Sequence, residues 1–312
     1  MERKILVAIG NTGLDKTTIS YLASLFKKRT DVSFHLFNFV PLHDMTESQQ
    51  LWSDWEEVAA TRPDSLKKRS ASLAHLLHLQ NKLRGAGFQE NQIQAESLFS
   101  YGSVAFSLLH HAQTGAYDAI ILGKRDLSLL EKMISGSISS ELWRMEHSVP
   151  LWLINGNPQT RNFLVPVDCS LHSMRAVGHL GFILQGTPDV QITLFHSASL
   201  LAAEEIAPRE AFYEQWGKEW CDKHLKGDAN GHYHFHAAEQ ILKENGIPAA
   251  NLDWLRLSAG IEPAQVIVRE IEKGSYGTIV MGRRLDREKN IFKGVSDRVL
   301  ANVHDVALWG VV

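Results

Sequence analysis

Several short stretches of this 312-residue chain combine glycine with serine, a carboxylate or a cation at spacings suited to a phosphorylated ligand. Gly123-x2-Asp126-x9-Gly136-Ser137 follows an apolar run, and Ser139 or Ser140 stands where a new helix can be capped. Free backbone N–H groups at such a helix start, together with the positive end of its dipole, form a phosphate cradle. Asp168-Cys169-Ser170-Leu171-His172-Ser173 closes another apolar run with a carboxylate and two hydroxyls. Later, Gly282-Arg283-Arg284 and Lys293-Gly294-Val295-Ser296-Asp297-Arg298 repeat the first pattern with more cations, including Arg287 and Lys289. Such cations can hold phosphate by charge where a backbone cradle is incomplete. The candidate binding residues are Gly123, Gly136, Ser137, Ser139, Asp168, Gly282, Arg283, Gly294 and Ser296.

Other chemistries find less support. Fifteen histidines are present, and on a helix His232 and His236 would share a face, but no third ligand accompanies them. His75, His78 and the pair His110-His111 are less suggestive still, so no metal site is predicted. Asp168, Ser170, His172 and Ser173 lie close in sequence, but a strand-to-helix turn with capping serines explains the cluster without a nucleophilic triad. No Gly-x-Ser-x-Gly elbow, His-Glu-x-x-His pair or Cys-x-x-Cys pair occurs. Cys169 and Cys221 are the only cysteines, which predicts a reducing, cytoplasmic setting. A net charge of -3 provides no basic field for nucleic acid, and the apolar run after Met1-Glu2-Arg3-Lys4 is too short for a signal segment or a membrane span.

The elements that must position these residues come as a repeat. Lys4-Ile5-Leu6-Val7-Ala8-Ile9-Gly10 matches Asn162-Phe163-Leu164-Val165-Pro166-Val167-Asp168 at an offset of 158. Gly115–Arg125 matches Gly274–Arg284 at 159, and His147–Ile154 matches His304–Val311 at 157. Matches in one order with nearly constant offset indicate duplication. Short apolar runs at 4–9, 33–40, 93–99, 118–122 and 150–154 read as strands. Their counterparts are 162–167, 190–196, 252–258, 277–281 and 307–311. Continuous apolarity, as in Ile5–Ile9, suits strands buried on both faces of a parallel sheet. Helices such as Ser65–Arg84 and Glu262–Lys273 alternate with them and close on glycine. This predicts two tandem, doubly wound, Rossmann-like α/β domains of five parallel strands each, over 1–156 and 161–312, joined at Asn155-Gly156-Asn157-Pro158.

With these residues in place, both halves resemble universal stress protein domains, and the chain resembles tandem members of that family. The family signature is an Asp ending the first strand, a Ser-x-x-Ser helix start, and Gly-x2-Gly-x9-Gly-Ser/Thr after the fourth strand, around ATP. Asp168-Cys169-Ser170-Leu171-His172-Ser173 carries the first part, and Gly123-x2-Asp126-x9-Gly136-Ser137 the second, with Asp126 at the second Gly. Each half departs from the pattern. Gly10 stands at the Asp position of the first half. In the second, alignment of Val-Ser-Asp-Arg places Lys293 at the Gly and Gly294 at the Ser, about two residues early. A hydrogen bond to a charged group is worth about 1.5–3 kcal/mol, so losing two would weaken binding about a hundredfold or more. The resemblance thus implies a regulatory module binding ATP or AMP weakly or at one site, with no strong catalytic chemistry. An interaction scaffold with vestigial pockets and a weak ATP- or metal-dependent hydrolase remain the alternatives. It also implies that the halves pair as a pseudo-twofold dimer through their last strands, where Trp152 and Trp309 match, with a homodimer possible. The inserts at 42–64 and 198–230 bear Trp52, Trp55, Trp216 and Trp220 and read as packing helices or a surface for a protein partner.

Overall fold

The computed structural model of the chain describes residues 2–10, 16–42, 62–100, 103–124, 138–145, 147–158, 160–168, 170–187, 189–199, 209–225, 233–259, 262–284 and 294–312. They form two compact units, largely 1–152 and 153–312. The breaker-rich junction lies on the second unit for a local reason. The Asn155 side chain donates to the Val303 carbonyl at 3.0 Å, and the Asn157 N–H donates to Asp305 Oδ1 at 3.0 Å.

The first unit runs β1 (Arg3–Ala8), α1 (Lys16–Phe26), β2 (Val32–Pro41), α2 (Pro63–Gly85), β3 (Ile93–Ser100), α3 (Val104–Thr114), β4 (Ala119–Lys124), α4 (Ile138–Arg144) and β5, which starts at Leu151. Its strand order is β3-β2-β1-β4-β5. The second unit contains β6 (Asn162–Pro166), α5 (Leu171–Leu184), β7 (Gln191–Ser199), α6 (Arg209–Trp216), α7 (Lys218–His224) and α8 (Tyr233–Glu244). It continues with β8 (Leu252–Ala259), α9 (Pro263–Glu272), β9 (Thr278–Gly282), α10 (Val295–Asn302) and β10 (Ala307–Val311). Its order, β8-β7-β6-β9-β10, is the same. The pairings of β1 with β2 and β4, and of β6 with β7 and β9, are parallel.

The repeat extends to register. Lys4 lies opposite Ser33, and Asn162, 158 positions on, lies opposite Gln191. Ile5, Leu6 and Val7 are fully buried, as are Phe163, Leu164 and Val165, in keeping with central strands covered on both faces. The long helix α2 starts two residues before the expected Ser65. Pro63 pre-sets its first turn and holds Arg62 extended (φ -96°, ψ 113°). In each unit the order reverses between the first and fourth strands, so the carboxyl ends of β1 and β4, and of β6 and β9, flank a switch-point crevice.

The matched tryptophans are both fully buried. Trp152 stacks on Phe26 of its own unit, with centroids 6.2 Å apart and planes at 15°. Trp309 meets Phe163 edge-on at 5.6 Å and 71°. Each ring thus packs against its own unit's core. In the second insert, Trp216 and Trp220 stack at 5.8 Å, and the Trp220 indole N–H donates to Glu244 Oε1 of α8 at 2.9 Å. Trp52 and Trp55 lie outside the described residues. Truncating a buried aromatic costs about 3–5 kcal/mol. Trp152→Ala should therefore lower stability by that amount in urea unfolding followed by circular dichroism; a loss below about 1 kcal/mol would contradict this packing.

Candidate functional site

In the second unit, β6 runs out at Pro166, and two residues later Asp168 turns the chain into α5. The Ser170 backbone N–H donates to Asp168 Oδ1 at 2.9 Å, and the Ser170 hydroxyl donates to the same oxygen. Ser170 is also the N-cap of α5, accepting from the Ser173 N–H at 3.2 Å. The Ser173 hydroxyl donates back to the Asp168 carbonyl at 2.9 Å. Burial opposes ionisation of Asp168, but hydrogen bonds from the Ser170 and Ser173 hydroxyls and the Ser170 N–H, with the Arg284 charge nearby, outweigh it. They hold the carboxyl below its ordinary range. The result is an ionised carboxylate with an open face to solvent at the end of the unit's first strand.

Gly282, ending β9, meets the same turn. A Cβ there would lie 2.4 Å from the His172 carbonyl carbon and 2.6 Å from the Ser173 nitrogen. The end of β9 thus packs directly onto the first turn of α5, and only glycine permits that approach. The Arg283 N–H donates to the Val311 carbonyl at 2.6 Å, and its side chain is buried. Burial pulls the Arg283 guanidinium down to about 10, against the opposing pull of Asp297. Arg283 therefore holds a charge inside the fold, while its neighbour Arg284 is exposed and acts on Asp168.

Gly294 and Ser296 open α10. Gly294 is the N-cap (φ -61°, ψ 168°), and its N–H donates to Asp297 Oδ2 at 3.2 Å. Asp297 thus sets a carboxylate at the helix end where the basic motif anticipated a phosphate. The structure brings Asp168 and Gly282 together, with Arg284 and Ser170 added. It turns Arg283 inward and closes the amide end beside Gly294 and Ser296.

The first unit is less complete. Gly123 is exposed at the end of β4, and Ser139 is half-buried in α4. Gly136, Ser137, Asp126 and Cys169 lie outside the described residues, as do Arg287, Lys289, Lys293 and His232. Glu141 of α4 accepts from the Ser103 hydroxyl, which caps α3. Gly10 has no atom within 4 Å of where a Cβ would be, so a carboxylate there is missing without a steric reason.

Residues 1–147 match the universal stress protein family. The first half of the chain is a universal stress protein domain. A universal stress protein from Archaeoglobus fulgidus DSM 4304 superposes with a TM-score of 0.63 at 16% identity, covering 99% of this chain and 95% of that one. A functionally unknown protein from Pseudomonas aeruginosa PAO1 gives 0.56 at 16% identity, covering 99% and 92%. These likenesses establish the α/β fold across both halves. No curated protein matches the chain. Among the described residues, no helix is long and apolar enough to cross a membrane.

Two outcomes test this geometry. Gly282→Ala should destabilise by about 1–3 kcal/mol or more through its backbone clash, whereas Gly10→Ala should stay within about 0.5 kcal/mol in the same urea titration. Because the folded pKa of Asp168 lies below the unfolded value of 3.8, its contribution to stability is present above 3.8 and is lost as pH falls through the folded value. Asp168→Asn should thus be less stable than wild type near neutral pH, with the gap narrowing in acid; a gap independent of pH would show that the carboxylate is not held ionised.

Proposed function

We propose that the chain is a non-catalytic regulatory module that binds an adenine nucleotide at the switch point of its second half. The carrying observation is the convergence of Asp168, from the end of β6, with Gly282, from the end of β9, on the first turn of α5. Open parallel sheets hold ligands at this place, beyond strand ends and beside a helix start. Asp168 would accept from ribose or adenine donors, and the charge of exposed Arg284 acts on that carboxylate. The universal stress protein fold of the first half is consistent with a nucleotide-responsive role in stress adaptation. Catalysis is disfavoured because Asp168 and Ser170 are committed to each other in a helix cap, which leaves neither as base or nucleophile.

Asp297 bears on which nucleotide is taken. A carboxylate at the first turn of α10 repels a phosphate chain extended toward it. The site therefore favours AMP over ATP. The scaffold reading draws support from the stacked Trp216–Trp220 pair, which is only half-buried; it would be preferred if no nucleotide bound.

Isothermal titration of the full chain with AMP and with ATP tests the proposal. Binding of AMP should be saturable and should fall at least tenfold in Asp168→Asn, the loss of one or two charged hydrogen bonds. Asp297→Ala should improve ATP binding about two- to fivefold while leaving AMP unchanged. No heat from either nucleotide at millimolar concentration would overturn the nucleotide reading.

A further inference from the structure

A second group of chemically capable side chains lies in the first unit, away from the strand ends. His35 comes from the middle of β2, Glu96 from β3 and His111 from α3. Each offers one ligand atom, and the three atoms lie within 4.8 Å of one another. His35 Nε2 and Glu96 Oε2 are 3.3 Å apart. That is about the separation of two ligands on a tetrahedral ion with bonds of about 2.0–2.2 Å. Some point lies within about 2.8 Å of all three atoms, under about 1 Å beyond such bonds.

The surroundings favour a ligand set. His35 Nδ1 is hydrogen-bonded to the Tyr117 hydroxyl, which orients the ring and leaves Nε2 toward Glu96. A metal-bound histidine characteristically donates its other N–H to such a partner. His111 stacks on Phe37, with centroids 4.2 Å apart. Its Nε2 is buried and finds no hydrogen-bond partner among the described residues, a costly state for an imidazole nitrogen. Glu96 keeps 43% of its side chain exposed, which gives an ion a way in.

The duplication supplies an internal control. By register, the second unit has Thr193 where the first has His35, and Leu255 where it has Glu96. Glu270 and Tyr276 correspond to His111 and Tyr117 at the 159 offset. There the Tyr276 hydroxyl is hydrogen-bonded to the Thr193 and Glu270 side chains, a network complete without an ion. The first unit keeps the tyrosine but surrounds it with two imidazoles and a carboxylate.

We propose that His35, Glu96 and His111 form a divalent transition-metal site, with zinc the preferred ion and a solvent molecule at the fourth position. Two imidazoles and a carboxylate are a zinc donor set, and the exposed side of Glu96 leaves that position open. The ion ties β2, β3 and α3 together. Tyr117 is a positioning residue acting through His35. Lys4, 4.4 Å above the Tyr117 ring, supplies no ligand.

The test is titration of the chelator-treated full chain with Zn2+ by calorimetry, and with Co2+ by its visible d–d absorption. One ion per chain should bind with the intense bands of a tetrahedral site. Glu96→Gln and His111→Gln should abolish both signals, while Tyr117→Phe should weaken affinity about 10–100-fold. His236→Gln should change nothing. Unfolding of each variant in chelator separates loss of a ligand from loss of the fold. Binding that survives both Glu96→Gln and His111→Gln in folded protein, or no saturable binding by wild type, would overturn the site.

Discussion

The contact between the end of β9 and the first turn of α5 is the constraint on which the candidate binding region depends. Gly282 brings backbone against backbone, at a distance no side chain tolerates. That approach sets the helix start beside the strand end, where Ser170 caps α5 and donates to Asp168. It also gives the glycine a packing role independent of any ligand. A glycine following the fourth strand is therefore not, taken alone, a sign of phosphate binding. Asp168, whose ionised state the local hydrogen bonds maintain, carries more information about chemistry.

The two halves share a frame and differ in what they mount on it. Strand order is the same, and registers repeat at an offset of 158, because the parallel core tolerates few alternatives once its apolar strands pair. Side chains at the ends of strands and on the solvent-near parts of β2, β3 and α3 are freer to change. At one corresponding place, the second half satisfies Tyr276 with Thr193 and Glu270, and the first surrounds Tyr117 with His35, Glu96 and His111. Buried polar groups must be satisfied by some partner, so substitution there changes which partners are needed.

Much of the fold was legible in the chain itself. The repeat and the strand runs arise from local patterning, which short-range sterics and burial enforce. Of the candidate site, Asp168 and Gly282 were legible because strand ends and glycines leave local signatures. The opposite fates of Arg283 and Arg284 were not, since burial of one guanidinium depends on the packed fold, which sets Asp297 of α10 near it. Nor was the capping of Gly294 by Asp297, where a carboxylate three residues on took the position expected for phosphate. Trp152 and Trp309 matched in sequence, yet their neighbours Phe26 and Phe163 come from elements far away along the chain.

The sequence by itself determined that this protein is a duplicated, parallel α/β chain with a family-like pair of loop motifs, because periodicity and spacing are local quantities. Only the tertiary structure decided which charges face solvent and which residues meet. His35, Glu96 and His111 stand on separate elements, and only the parallel pairing of β2 with β3 and the packing of α3 bring their ligand atoms within 4.8 Å. Convergence of this kind is a property of register and crossover, and it leaves no mark in the spacing along the chain.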